Sequence, residues 1–234
     1  AARLPVGTRV FGFAIAASAH AERLAIAETA ALVPIPPALS FEEAAATPFG
    51  ALAGLEFARD VARLGPGARV LIDGAAGGVG VFLVQVARHL GAEVTAVASG
   101  QGAALAASLG AHRVIDRRES PPEGWPGGQT AVIDATGRLG PARARALLAP
   151  GGRYVPLVWS LADILAALPW RAPPRPVLHV SGDRPEALAE IAALIEAGAL
   201  RAVVDSVHPF EALPEAHARL DAGHVRGTVV LAGP

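Results

Sequence analysis

The chain has 234 residues, and 20 lysines and arginines face 21 aspartates and glutamates, giving a formal net charge of −1. This balance provides no basic field for a nucleic acid partner and no charged block typical of a disordered tail. Hydrophobic residues make up 52% of the chain and the mean hydropathy is +0.41. A substantial core is therefore available, in one large domain or in one and a half ordinary ones.

The sequence contains no cysteine. Disulfides and any zinc site built on thiolates are thereby excluded, and a disulfide-free α/β chain fits the cytoplasm. No uninterrupted apolar run approaches the roughly 20 residues needed to span a bilayer, so we expect no membrane partner. The sequence does not begin with methionine, and we expect a processed chain or a piece of a longer one.

The first 47 residues do not make a complete domain. We predict strands at Arg9–Phe13 and His20–Ile26 and an extended segment at Leu32–Pro37, because proline is disfavoured inside helices. Ser40 followed by Glu43 is a capping box that opens a short helix, Phe41–Ala46. A further helix over residues 50–63 ends at the Gly-Pro-Gly of 65–67.

From Arg69 onward the pattern alternates between strand and helix. The predicted strands are 70–72, 93–98, 113–115, 131–134, 153–158 and 177–180, and the predicted helices are 79–90, 103–109, 140–148, 160–168 and 185–197. This alternation predicts an α/β fold, a doubly wound parallel sheet of Rossmann type. The chain then ends in a strand at 201–207, a helix at 213–220 and a final strand at 227–231.

A glycine-rich turn joins the first strand of this series to its helix. It contains Ala75-x-Gly77-x-x-Gly80, with Gly78 and Val79 between the glycines, a variant of the dinucleotide-binding fingerprint. The small first residue permits a tight turn, Gly77 lets backbone amides approach a pyrophosphate, and Gly80 lets the helix pack on the strand. The helix N-terminus would hold the phosphates. The alternative is a glycine-rich turn that binds nothing.

The ribose position favours NADPH over NADH. An NAD-binding fold usually places a carboxylate at the end of its second strand, where it binds the ribose 2′-hydroxyl. Here that position holds Ser99, and no carboxylate occurs between Glu93 and Asp116. Arg117 and its neighbour Arg118 follow the third strand and are candidates for binding a 2′-phosphate, with solvated surface arginines as the alternative.

The ligand of an open α/β sheet lies across the carboxyl ends of the strands. The fourth strand ends at Asp134 and is followed by Ala135, Thr136 and Gly137, and the fifth ends at Leu157 and Val158. We expect these two ends to contact the second ribose and the nicotinamide, although Asp134 can equally be a helix cap or a turn residue.

Conventional catalytic patterns are missing from the sequence. The seven histidines have no metal-ligand spacing, so we expect no metal site, and no serine occupies a G-x-S-x-G nucleophile elbow. We predict that the only tyrosine, Tyr154, packs in the core with a tethered hydroxyl. No general acid or base can be assigned, and the catalytic residues remain unknown at this point.

The chain resembles the zinc-independent branch of the medium-chain dehydrogenase/reductase superfamily, and within it the quinone oxidoreductase-like, NADPH-dependent alcohol dehydrogenase and enoyl reductase proteins. The segments that carry the resemblance occur in the family order: VGTRVFGF (6–13), HAERLAI (20–26), LSFEEAAATPFGAL (39–52), GPGARVLIDGAAGGVGVFLVQVARHLGAEVTAV (65–97), LGAHRVID (109–116), LAPGGRYV (148–155) and EAHARLDAGHVRGTVVL (215–231).

The resemblance implies a Rossmann domain at 48–204, flanked by parts of a β-rich catalytic domain resembling the chaperonin-10 fold at 1–47 and 205–234. It implies hydride transfer from NADPH to a small-molecule quinone, enone or activated carbonyl compound. The cofactor would lie against the turn from Ala75 to Gly80, the ribose-phosphate site at Ser99 and Arg117, and a nicotinamide wall of Thr136, Gly137 and Val158. Homodimers would form through the strand Val177–Val180.

This sequence departs from the family pattern in two respects. It lacks the stretch before Arg9 that holds most of the catalytic domain, and it has Arg117 and Thr228 in segments where the family often has tyrosine and lysine. Two hypotheses therefore remain open: an NADPH-dependent reductase, or an NADPH-binding module without chemistry of its own, such as a redox sensor or a structural partner.

Overall fold

The structure is a computed structural model that describes residues 4–13, 21–27, 30–168, 175–180 and 184–233. Its centre is a parallel sheet of five strands in the spatial order β5-β4-β3-β6-β7. The strands are β3 (Arg69–Asp73), β4 (Glu93–Ala98), β5 (Arg113–Asp116), β6 (Gln129–Asp134) and β7 (Leu148–Pro156). The predicted α/β fold class is confirmed, because the strand order reverses at β3 as in a doubly wound sheet.

The sheet is buried on both faces, which explains its continuous apolar strands. Alternate residues of β3 point to opposite sides, so Val70 and Ile72 belong to one core cluster and Leu71 to another. All three side chains are completely buried. The larger cluster lies under the helices that precede and follow β3, and the smaller one includes Trp125 and Tyr154.

Helices cover the sheet and connect its strands. They are α1 (Phe41–Ala46), α2 (Pro48–Leu55), α3 (Gly80–His89), α4 (Gln101–Ser108), α5 (Gly140–Leu147), α6 (Leu161–Ala167), α7 (Pro185–Glu196) and α8 (Leu213–Asp221). The capping box of α1 is confirmed, since the Glu43 N–H donates to Ser40 Oγ at 3.1 Å and the Ser40 N–H donates to Glu43 Oε2 at 3.0 Å. The end of α2 continues as a π-helix, Glu56–Val61.

Two small sheets flank the central one. β1 (Val10–Phe13) pairs antiparallel with β2 (Ala31–Pro34), and β8 (Val204–Pro209) pairs parallel with β9 (Thr228–Ala232). The Gly227 N–H, immediately before β9, donates to the Ala76 carbonyl oxygen at 2.8 Å. The returning C-terminal segment is therefore attached to the glycine-rich turn.

The predicted sixth strand, Val177–Val180, is wrong. The structure has only an isolated bridge between Pro176 and Tyr154, with the Val177 N–H donating to the Tyr154 carbonyl oxygen at 2.8 Å. The approach to this segment contains Pro173, Pro174 and Pro176, and proline cannot donate to a ladder. The chain therefore touches β7 at one point and then leaves the sheet.

The predicted strand His20–Ile26 is also wrong for the residues that the structure describes. Residues 21–23 are bends and 24–27 have no regular structure, and the two-stranded sheet of β1 and β2 does not include this segment. His20 lies outside the described residues. Other differences concern boundaries: β7 begins at Leu148, where the helix was expected to continue, and it ends at Pro156.

Within the described parts of the chain, no helix combines the length and the apolar character that crossing a membrane requires.

Candidate cofactor and active site

An apolar cleft of about 630 Å³ opens at the carboxyl ends of β3, β6 and β7. This is the position that ligands occupy in doubly wound sheets. The lining residues come from α2 and the π-helix, the glycine-rich turn, the ends of β6 and β7, and the segment before α7. They are Phe49, Ala53, Phe57, Gly74, Gly77, Gly78, Val79, Gly80, Ala135, Leu157, Val158, Trp159, His179 and Val180.

The glycines of the turn have different roles. Gly74 has a φ of +87°, and a side-chain carbon on Gly80 would clash with the Gly74 carbonyl oxygen. These two positions therefore shape the turn, and the role predicted for Gly80 is supported by this close packing. A side-chain carbon on Gly77 would meet only the Gly74 oxygen, at 3.5 Å. The fold itself therefore does not require glycine at position 77. We attribute the glycine to the space that a bound ligand needs there.

Helix α3 begins at this turn without a side-chain cap. Its N-cap residue is Val79, which makes no capping hydrogen bond, and the first helical residue, Gly80, lines the cleft. The first amides of a helix lack intrahelical partners and lie at the positive end of its dipole. The turn and the helix N-terminus therefore fit the pyrophosphate of a dinucleotide.

The structure brings seven of the twelve predicted cofactor-binding residues together in the cleft. These are Gly77, Gly78, Val79, Gly80, Ala135, Leu157 and Val158. Ala75 is completely buried beneath the turn, and Ser99 and Arg117 lie beyond the cleft, towards β4 and β5. Gly137 packs behind the wall, because a side-chain carbon there would lie 3.1 Å from Val158 Cβ.

Thr136 belongs to a polar network rather than to the cleft surface. Its hydroxyl lies 2.8 Å from Asp134 Oδ1 and 3.1 Å from Asp73 Oδ2. Asp73 also forms an ion pair with Arg117. Burial raises the pKa of the Asp73 carboxyl above its ordinary value; the Arg117 guanidinium opposes this rise and the charge of Asp134 adds to it.

Asp134 acts as a turn residue. Its carboxylate accepts hydrogen bonds from the N–H groups of Thr136, Gly137 and Leu139, at 2.9, 2.9 and 3.0 Å. The Tyr154 hydroxyl lies 3.4 Å from Asp134 Oδ2, and its ring is buried, so the tethered core role predicted for Tyr154 is confirmed. Burial, followed by the charges of Asp134 and Asp163, raises the Tyr154 pKa far above its usual range.

Arginines gather around the end of β4. The Arg118 guanidinium lies 3.2–3.3 Å from the position that a Gly100 side-chain carbon would occupy, and it pairs with Asp116 at 2.8 Å. Asp116 also accepts from the Gly100 N–H at 2.9 Å. Arg226, which comes from the C-terminal return, contacts Gln101 at the start of α4. Two guanidinium groups therefore contact Gly100 and Gln101, the residues that immediately follow Ser99.

Sequence reasoning missed half of the cleft wall. It assigned no role to Phe49, Phe57 or Trp159, and it left His179 among scattered histidines. In the structure His179 Nε2 lies 2.8 Å from Glu56 Oε1. The two residues are 123 positions apart, and no spacing in the sequence connects them. The apolar character of the Phe49 and Phe57 helix was the only available signal.

Among the described residues, no group of three or more histidine, cysteine, aspartate or glutamate side chains is arranged to hold a metal ion.

The chain is similar to known dehydrogenases and oxidoreductases. Residues 109–231 match a family described as zinc-binding dehydrogenase. A spectinabilin polyketide synthase system protein of Streptomyces orinoci is 36% identical, across 99% of this chain and 11% of that protein. The mitochondrial NAD(P)H oxidoreductase RTN4IP1 of Bos taurus is 30% identical, across 84% of this chain.

The solved quinone oxidoreductase of Coxiella burnetii superposes on the chain with a TM-score of 0.74 and 27% identity, covering 86% of this chain and 63% of that structure. The chain spans 57% of the length of the bovine relative and a much smaller share of the synthase protein. The Coxiella burnetii protein shares the fold of this chain.

Proposed function

The chain belongs to the zinc-binding dehydrogenase family, as a quinone oxidoreductase-like member, and from this we propose that it is an NADPH-dependent oxidoreductase. The observation that carries the proposal is the uncapped N-terminus of α3 beside Gly77, at the edge of a 630 Å³ apolar cleft. When bound, the nicotinamide supplies the hydride that reduces a quinone, an enone or another activated carbonyl compound.

Each part of the cleft has a role in this proposal. The backbone of Gly77 to Gly80 binds the pyrophosphate, as the first amides of a helix do. Ala135, Leu157 and Val158 form the wall against which the nicotinamide lies. The apolar rings of Phe49 and Trp159 at the opening provide a surface for a small-molecule acceptor, since such sites are mainly apolar with a few placed polar groups.

The preference for NADPH over NADH is supported by the charges at the end of β4. Ser99 carries no negative charge that would repel a 2′-phosphate, and the guanidinium groups of Arg118 and Arg226 lie at the adjoining turn. A planar guanidinium binds phosphate oxygens through two parallel hydrogen bonds. In this arrangement Arg118 replaces Arg117 as the residue that would bind the phosphate. Arg117 is held by the buried Asp73, whereas the Arg118 side chain, although paired with Asp116, is 64% exposed.

The proposal has three further parts: a Rossmann domain at 48–204, a cytoplasmic location and a homodimer. The absence of cysteine supports the location. The dimer would use a segment that is not a strand, because Val177–Val180 forms no ladder and the neighbouring Pro176 makes a single bridge to Tyr154 of β7. It would have to pair through an irregular edge.

A cofactor-binding module without turnover is the second candidate function. It is favoured by the extent of the match, since the chain spans 57% of the bovine oxidoreductase. Steady-state oxidation of NADPH by the complete protein, with a quinone and with an enone, separates the two functions. Turnover with either acceptor supports the reductase, and NADPH binding without turnover supports the module.

Gly77→Val tests the proposed pyrophosphate site. A Cβ at this position makes only an ordinary contact, 3.5 Å from the Gly74 carbonyl oxygen, so we expect the thermal unfolding temperature to stay near that of the wild type. The valine would occupy the space of the pyrophosphate, and NADPH binding, followed by nicotinamide fluorescence, should be lost. Gly65→Val is the matched control, because nothing lies within 4 Å of that position and it is far from the cleft. Unchanged NADPH binding by Gly77→Val would sink the assignment.

A further inference from the structure

His179 is the only titratable side chain among the described residues that line the cleft. Its ring packs edge-on against Phe57, with 5.6 Å between the ring centroids. Its Nε2 lies 2.8 Å from Glu56 Oε1. The side chain of His179 is 36% exposed and that of Glu56 is 10% exposed, so the imidazole is accessible from the cleft and the carboxylate lies behind it.

Glu56 is held in place from the other side. Arg184 Nη1 lies 3.4 Å from Glu56 Oε1 and 2.9 Å from Asp60 Oδ2. Glu56 is also the first residue of the π-helix, a local widening that occurs often at functional sites. The charged groups of the described residues around the imidazole are therefore the carboxylate of Glu56 and, beyond it, Arg184 and Asp60.

The contact with Glu56 fixes the orientation of the ring. Nε2 lies within hydrogen-bond distance of the Glu56 carboxylate, and among the described residues Nδ1 has no hydrogen-bond partner. A carboxylate that binds one ring nitrogen sets the role of the other, as in catalytic histidines. Nδ1 is thus available to a molecule in the cleft, beside the wall formed by Leu157 and Val158.

The proposed reduction needs a proton as well as a hydride. Addition of a hydride to a conjugated carbonyl compound forms one C–H bond, shifts the π electrons and leaves an enolate. We propose that the His179 imidazolium donates the proton to this enolate from Nδ1, and that Glu56 is its positioning residue. The N–H bond breaks, a C–H or O–H bond forms, and the neutral imidazole regains a proton from water at the open cleft.

This inference rests on the proposed function, and a purely structural role for the pair is the competing interpretation. In that case His179 and Glu56 only anchor the segment before α7 to the π-helix. The two roles differ in their dependence on the acceptor. An enone needs a proton from the protein, whereas a strongly electron-poor quinone is released as a stable hydroquinone anion and does not.

His179→Gln in the complete protein separates the two roles. Glutamine retains a hydrogen bond to Glu56 and cannot donate an acidic proton. We expect NADPH binding and the thermal unfolding temperature to match the wild type. We expect enone reduction to fall by about a hundredfold or more, the usual contribution of a general acid, and reduction of the electron-poor quinone to change little. His89→Gln, on the exposed last turn of α3, is the matched control.

Any of the following outcomes of these assays would overturn the inference: unchanged enone reduction, an equal loss with both acceptors, or a lower unfolding temperature with weakened NADPH binding. In D₂O, the wild type should place deuterium on one face of the α-carbon, and His179→Gln should give a mixture of the two faces. Retained stereochemistry would also count against His179. Failure of the proposed function itself would be recognised separately, since the wild type would then show no NADPH oxidation with either acceptor.

Discussion

At the scale of single residues, the buried carboxyl of Asp73 defines the interior of the site. It is 2% exposed, and its counter-charge, Arg117, arrives from the end of β5. Burial raises the pKa of this carboxyl and Arg117 lowers it. When the pKa of a carboxyl is higher in the folded protein than in the unfolded chain, the free energy of unfolding falls as the pH rises through the folded-state pKa. The reason is that the unfolded chain ionises more readily than the folded protein. Arg117 limits this loss.

Arg117→Met should therefore destabilise the protein in a pH-dependent manner. The methionine keeps most of the side-chain volume and removes the charge, so the Asp73 pKa rises further. We expect the free energy of unfolding to be close to that of the wild type near pH 4 and lower by about 3 kcal/mol at neutral pH, the typical effect of breaking a buried pair. Urea denaturation across this range measures the difference.

Arg118→Met provides the control for this experiment. Arg118 is paired with Asp116 at the surface, with a side chain that is 64% exposed, and surface pairs contribute little. The free energy of unfolding of Arg118→Met should differ from that of the wild type by a constant amount between pH 5 and pH 8. A constant difference for Arg117→Met between pH 4 and neutral pH would show that the Asp73 charge is not controlled by Arg117.

At the scale of elements, a local rule determines where α1 begins. The capping box at Ser40 was readable from the sequence, because a side chain three residues from its backbone partner needs no tertiary contact. The strand–helix alternation was readable for a similar reason, since the period of apolar residues changes at each turn. The strand predicted at 177–180 is wrong because the pairing of this segment depends on the prolines before it and on β7, which is distant in the sequence.

Ser40→Ala tests the local contribution of the cap. The substitution removes the hydroxyl that accepts the Glu43 N–H at 3.1 Å, and we expect a loss of about 1 kcal/mol in the free energy of unfolding. Ser120→Ala is the matched control, because that side chain makes no hydrogen bond within the described residues. Equal losses in the two variants, measured by urea denaturation, would contradict a specific capping effect.

At the scale of the whole molecule, the fold could be predicted further than the site could. The glycine-rich turn and the ends of β6 and β7 were found because each is a short stretch of sequence with its own pattern. Glu56 and His179 were not found, since only folding brings them together. Arg118 was named beside Arg117 as a candidate for the 2′-phosphate, and only the folded structure distinguishes the two, because Arg117 pairs with the buried Asp73. Single-sequence patterns identify backbone sites more readily than they identify side-chain partners.

The central claim is that this whole arrangement is an NADPH site. It is tested most directly by parallel fluorescence titrations of the protein with NADPH and NADH, repeated with Ser99→Asp. We predict that the wild type binds NADPH more tightly than NADH. A carboxylate at position 99 should reverse this preference, because it repels the 2′-phosphate and binds the 2′-hydroxyl. Binding of neither nucleotide, or equal affinities that Ser99→Asp does not change, would contradict the account.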